Sequence, residues 1–222
     1  VRTVDDVIDR LEQIAAALPP GDGVGAFAQM YLETTRQVDQ ALAGRRFADE
    51  TFLTRLDVVF AGLFVSAWQG YGRDPGSVPK SWRALFDARS APGIHPLQFA
   101  VAGMNAHINY DLALALVTTA QEAGGELDDD RRTDFVAVNG VLATTAPAVR
   151  AELLTGPFAF VDDALGPVDD RLSMWAIERA RDVAWAAALA AWAVRGTLVE
   201  DVLTTARDRM VQLSSQLLLA PA

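Results

Sequence analysis

The sequence predicts an all-α fold, a single-domain bundle of about seven or eight helices packed around one central buried helix at about 96–123. Three observations lead there. Apolar residues recur at helical spacing in one segment after another, and each segment is stopped by proline or glycine. The stretch beginning at Pro96 meets no further proline until Pro147, so one long helix can run to Gly124 and Gly125. Lastly, 222 residues with 51% hydrophobic content supply a substantial core.

Thr3 can cap a first helix, Val4 to Leu18, whose Val4, Val7, Ile8, Leu11 and Ile14 form one stripe ending at Pro19-Pro20-Gly21. A second helix, Val24 to Ala43, turns Phe27, Met30, Tyr31, Thr34 and Val38 inward, and Tyr31 can project its hydroxyl into the same interior. A third, Ala48 to Gly70, embeds Asp57 in an apolar run. That carboxylate either holds Arg55 or Arg181 in a salt bridge or lines a pocket. A turn-rich link, Tyr71 to Pro79, leads to a short helix, Ser81 to Arg89, presenting Trp82, Leu85 and Phe86.

Beyond the central element, the acidic turn Glu126 to Asp130 opens a helix that carries Asn139 within an apolar run and is bent or broken at Pro147. Asn139 is either an inward polar contact or a helix cross-link. The loop from Gly156-Pro157, with Phe158 and Phe160, is long enough to cover a pocket mouth and equally able to be plain packing. A helix rich in tryptophan and alanine, Val168 to Val194, sets Trp185 and Trp192 on one stripe, suited to a tight interior or to stacking on an aromatic ligand. The last helix, Val199 to Leu219, is amphipathic through Val202, Leu203, Met210, Leu213 and Leu217.

Placed on a helical wheel, the apolar residues of the central helix point in nearly every direction, as in a helix packed on all sides. Its polar residues are then informative. Gln98, Asn105 and Asn109 fall on one line, and His107 and Asp111, one turn apart, fall on roughly the opposite side. A buried polar group without a partner costs about 1–3 kcal/mol, so each needs a partner, a water, a metal or a ligand. Within a bundle such residues can also satisfy one another as a core network.

Charge and composition narrow the class. A formal charge of −10 with Lys80 as the single lysine argues against a nucleic-acid surface and against a basic membrane-binding face. No cysteine is present, which excludes thiol catalysis, disulfides and cysteine-ligated metals. The start of the chain lacks the apolar run of a signal peptide, and 183–194 comes nearest to a membrane span while falling short. A cytoplasmic location is expected.

A histidine oriented by a neighbouring carboxylate has a defined tautomer and exchanges protons near neutral pH, so His107 and Asp111 are the candidate catalytic pair. Asn105, Asn109, Gln98, Tyr31, Asp57, Asn139 and Trp185 are the candidates for binding a substrate. No cofactor is expected. His95 and His107, the two histidines, stand about 18 Å apart along a helix and cannot share an ion. Any metal would have to be held by His107, Asp111 and an oxygen from another helix. The expected partner is a small-molecule ligand or substrate, and the sequence does not define an oligomeric state.

Met104-Asn-Ala-His-Ile-Asn-Tyr-Asp-Leu112, with Pro96-Leu-Gln98 upstream and Asp134-Phe135…Asn139 downstream, resembles an uncharacterised, mainly actinobacterial family of helical proteins of unknown function. The resemblance covers about Tyr31 to Trp192 and implies that His-Ile-Asn-Tyr-Asp is the family's hallmark. It brings no reaction with it. The expectation is therefore an enzyme of acid–base chemistry (cyclisation, elimination, isomerisation or hydrolysis) on a largely apolar small molecule, in a bacterial setting such as secondary metabolism. The alternative is a non-catalytic binding or structural protein in which the same residues form a hydrogen-bonded core.

Overall fold

The computed structural model describes residues 2–42, 44, 47–155 and 170–221, the side chains within 146–155 and 170–176 excepted. Eight helices and no strand occur among the described residues. They are α1 (Val4–Ala17), α2 (Gly23–Leu42), α3 (Glu50–Arg73), α4 (Lys80–Ala88), α5, α6 (Asp129–Thr155), α7 (Asp170–Val194) and α8 (Leu198–Leu218), with a 3₁₀ turn at Pro75–Ser77. α5 is one helix in three parts: Pro96–Ala106, a π-helical turn His107–Asp111, and Leu112–Glu122. Of the expected bend or break at Pro147, the break does not occur. α6 continues across that residue, because loss of one N–H bends a long helix without obliging it to stop. The loop around Phe158 and Phe160 and the helix start at Val168 lie outside the described residues.

Thr3 caps α1 as expected, in a capping box with Asp6. Other helix starts are satisfied from far along the chain. Asp134 of α6 accepts from the backbone N–H groups of Ala48 and Asp49 at 3.1 and 2.7 Å, at the head of α3. Asp208 of α8 accepts from those of Lys80 and Ser81 at 2.9 and 2.8 Å, at the head of α4. A carboxylate at a helix N-terminus meets both unpaired N–H groups and the positive end of the dipole.

Two hydrophobic clusters form the interior, and α5 is shared between them. Phe99, Ala102, Ala106 and Tyr110 pack with α1, α2 and α4, whereas Leu112, Leu116 and Ala120 pack with Phe52, Phe135 and Trp185. The apolar residues on every side of α5 follow from this. α2 and α5 approach closely through a reciprocal pair of glycines. A Cβ on Gly103 would stand 2.3 Å from the Phe27 ring, and one on Gly23 would stand 2.4 Å from the Phe99 ring.

Two sequence expectations are corrected by the packing. Val202, Leu203, Met210, Leu213 and Leu217 of α8 face outward, with 65%, 42%, 66%, 51% and 79% of their surface exposed. α8 is held on its other side, by hydrogen bonds through Asp208, Ser214, Ser215 and its terminal carbonyls and by burial of Val211 in the first cluster. The most span-like segment is also not 183–194. Among the described residues, α3 is the helix long and apolar enough to cross a bilayer, with a mean hydropathy of 1.4 over its most apolar window. It lends residues to both clusters, which accounts for apolar side chains around its circumference.

The glycine contact sets a stability prediction. Gly103→Ala is expected to destabilise the protein by about 1–2 kcal/mol in urea unfolding, because the buried Phe27 ring must shift, an overpacking cost of roughly 2–3 kcal/mol that exceeds alanine's helix-propensity gain of about 1 kcal/mol.

Candidate functional site

The junction of the two clusters is the π-helical turn. There the backbone N–H of Leu112 reaches back to the carbonyl of His107, one residue further than an α-helix allows. Within the turn, His107 Nδ1 lies 3.0 Å from Asp111 Oδ2. Trp82 on α4 donates its indole N–H to the same oxygen at 2.9 Å. Both side chains of the pair are buried, His107 at 4% and Asp111 at 3% exposure.

The imidazole stands in a cage of rings. Phe60 of α3 stacks flat on it with centroids 3.6 Å apart, and Tyr31 of α2 meets it edge-on at 4.6 Å. Phe27 and Trp82 complete the cage at 6.0 and 5.9 Å. Of these rings only Phe60 is half-buried, so it stands between the imidazole and the outside. His107 Nε2 and the Tyr31 hydroxyl are both buried, and neither has a hydrogen-bond partner in the structure. The expected enclosed space beside His107 is filled by rings. Two surface concavities among the described residues lie elsewhere, one at Gln121, Gly124, Trp192 and Arg195 and one at Arg10, Arg55, Leu63 and Glu122.

Burial dominates the electrostatics. It holds the His107 imidazole well below the ordinary histidine range. It also pushes the Asp111 carboxyl well above the usual carboxylate range, opposed by the Trp82 hydrogen bond, which favours the anion. Both directions favour an uncharged pair. In that state the Asp111 O–H donates to Nδ1 and the ring proton sits on Nε2. Burial likewise raises the Tyr31 phenol, with Asp57 and then Asp111 adding to the effect.

The remaining candidates divide into groups. Gln98, Asn105 and Asn109 do lie along one line, but it faces α8. Gln98 Nε2 donates to the carbonyls of Leu218 and Ala220, Asn105 Nδ2 donates to Val211 O and to the hydroxyls of Ser214 and Ser215, and Asn109 Nδ2 donates to Asn105 Oδ1. Asn139 accepts from Arg181 Nε at 2.6 Å, and Trp185 packs on Phe135 in the second cluster, so neither belongs to the ring cage. Tyr31 does belong to it. Asp57 is half-buried one turn before Phe60, and neither expected arginine pairs with it: Arg55 holds Glu122, and Arg181 holds Asn139 and the Phe135 carbonyl.

Among the described residues no cluster of three or more histidine, aspartate or glutamate side chains forms. Sequence reasoning missed Phe60 and Trp82. A buried indole N–H needs an acceptor, which marks Trp82 as a polar contact in the sequence, but only the fold shows that its acceptor is Asp111.

Asp57 supplies a pH test. Burial, and next the charge of Asp39, raise its carboxyl from 3.8 to about 6. A raised folded-state value means that its stabilising contribution is complete below pH 3.8 and lost as pH rises through about 6. Asp57→Asn is therefore expected to be more stable than wild type at pH 7, by on the order of 1 kcal/mol, and no more stable at pH 4, as read by urea unfolding at both pH values.

No curated protein matches this chain, and no solved structure matches it. A family model described as a family of unknown function, DUF5995, matches residues 4–221, and the chain belongs to that family.

Proposed function

We propose that the protein is a small-molecule enzyme in which His107 and Asp111 carry out proton transfer on a largely apolar substrate, with His-Ile-Asn-Tyr-Asp as the signature of its family. The observation that carries this reading is that His107 and Tyr31, whose rings meet edge-on, each hold a buried polar atom without a partner, Nε2 and the phenol hydroxyl. Leaving such groups buried costs about 1–3 kcal/mol each. A substrate oxygen that met both would recover that cost.

The chemistry follows from the pair. Nε2–H delivers its proton to a substrate atom while Nδ1 takes the proton of Asp111, so the imidazole stays neutral throughout. The negative charge then rests on the Asp111 carboxylate, where the Trp82 N–H meets it. Run in reverse, the same relay removes a proton. Elimination, isomerisation, cyclisation and hydrolysis each use such a step. A substrate approaches past Phe60, the half-buried ring of the cage, with Asp57 one turn away at the entrance. The ring-lined interior suits an apolar molecule with one oxygen function, of the kind handled in bacterial secondary metabolism, and the acidic surface suits a soluble cytoplasmic setting.

The filled space around the imidazole favours a second reading, a non-catalytic core in which Trp82, Asp111 and His107 lock α4 to α5. Stability separates the two. The double variant His107→Phe/Asp111→Asn keeps the aromatic volume and an acceptor for Trp82. If the pair is retained for chemistry at a cost to the fold, the stability of this variant stays within about 1 kcal/mol of wild type, because loss of the two costly buried groups offsets the one amide NH₂ left to be satisfied. A loss above about 2 kcal/mol in urea unfolding makes the pair a stabilising core network and overturns the enzymatic reading.

A further inference from the structure

The outward row on α8 has the spacing of a helix–helix seam. Val199, Leu203, Ala206, Met210, Leu213 and Leu217 alternate steps of four and three residues, and all six are exposed. That is the repeat by which two helices pack knobs into holes. Of the eleven large apolar side chains exposed among the described residues, seven lie on this helix, which marks it as a patch and not as scatter. The polar side that an isolated amphipathic helix would turn to water is already committed, since Asp208 caps α4 and Ser214 and Ser215 accept from Asn105.

We propose that a second copy of this chain covers this face, with α8 packed antiparallel on its twofold mate. The seam is self-complementary in that arrangement. Centred on residue 208, it sets Val199 against Leu217, Leu203 against Leu213, and Ala206 against Met210, so the smallest side chain meets the longest. The seven exposed side chains present on the order of 600 Å² of apolar surface, close to the ~800 Å² per partner that a stable interface buries. A lipid surface fits poorly. Interfacial helices border their apolar face with basic residues, whereas α8 carries Glu200, Asp201, Arg207 and Arg209 in a chain of formal charge −10.

Light scattering at tens of micromolar is expected to return twice the chain mass for the wild type. It is expected to return the single-chain mass for Met210→Glu/Leu217→Glu, with unchanged helical circular dichroism because these side chains touch no core. Val136→Glu, an exposed apolar residue off this helix, should remain double. The chain has no cysteine, so mixing Ala206→Cys with Met210→Cys protein and oxidising it should give the mixed disulfide. A wild type of single-chain mass, a charged variant that keeps the double mass, same-residue disulfides in place of the mixed one, or flotation of wild type with phosphatidylglycerol vesicles each overturns the proposal.

Discussion

One oxygen atom, Asp111 Oδ2, ties the two halves of the site together. It accepts the indole N–H of Trp82 from α4 and faces the imidazole of His107 on its own helix. A buried carboxyl is costly unless its lone pairs are met, so the position of α4 is dictated by that contact as much as by apolar packing. α4 is in turn fixed at its head by Asp208 from α8. The cage around His107 is thus seated in part by α8, which contributes no ring to it, and Phe27 reaches it because Gly103 lets α2 come close.

The π-helical turn explains why α5 serves two cores. An extra residue in the ladder retards the helical phase, so side chains beyond Asp111 point in directions that an unbroken α-helix would not give them. Before the turn, the buried residues face the cluster built on α1, α2 and α4, and after it they face Phe52, Phe135 and Trp185. His107 and Asp111 stand where the phase changes, with backbone hydrogen bonds that differ from those on either side. Such turns are inserted at a cost in regularity and are frequent at functional positions, which agrees with a role for this segment beyond packing.

Much of this was legible in the sequence because it rests on local rules. Pro96 and Gly124 bound α5, Thr3 caps α1, and all-round apolarity placed 96–123 in the interior with its histidine and aspartate shielded. What escaped was decided by tertiary contacts. The line of Gln98, Asn105 and Asn109 reads identically whether it meets a ligand or the carbonyls and hydroxyls of α8. The stripe on α8 reads as an inner face until Asp208 is seen to turn the helix about. The π-helical turn left no local signature, since every residue in His-Ile-Asn-Tyr-Asp is also acceptable in an α-helix.

In this chain polar residues repeatedly do what apolar stripes do elsewhere, and this sharpens the meaning of His107. Asp134, Asp208, Asn105 and Gln98 each dock one helix on another through hydrogen bonds that the structure completes. A docking residue is recognised by that completeness. Among buried groups that lack it, Ser81 and Thr119 carry rotatable hydroxyls that can turn to a carbonyl of their own helix, and Arg83 and Arg132 have further N–H groups to use. The imidazole of His107 and the phenol of Tyr31 have no such recourse, because a ring nitrogen or oxygen at the end of a rigid side chain cannot fold back to its own backbone. These two groups lie on different helices, and their rings meet edge-on with centroids 4.6 Å apart, next to the half-buried ring of Phe60. Beside helix-docking contacts that are completed across long sequence separations, that pairing of incomplete groups sets the His107 site apart.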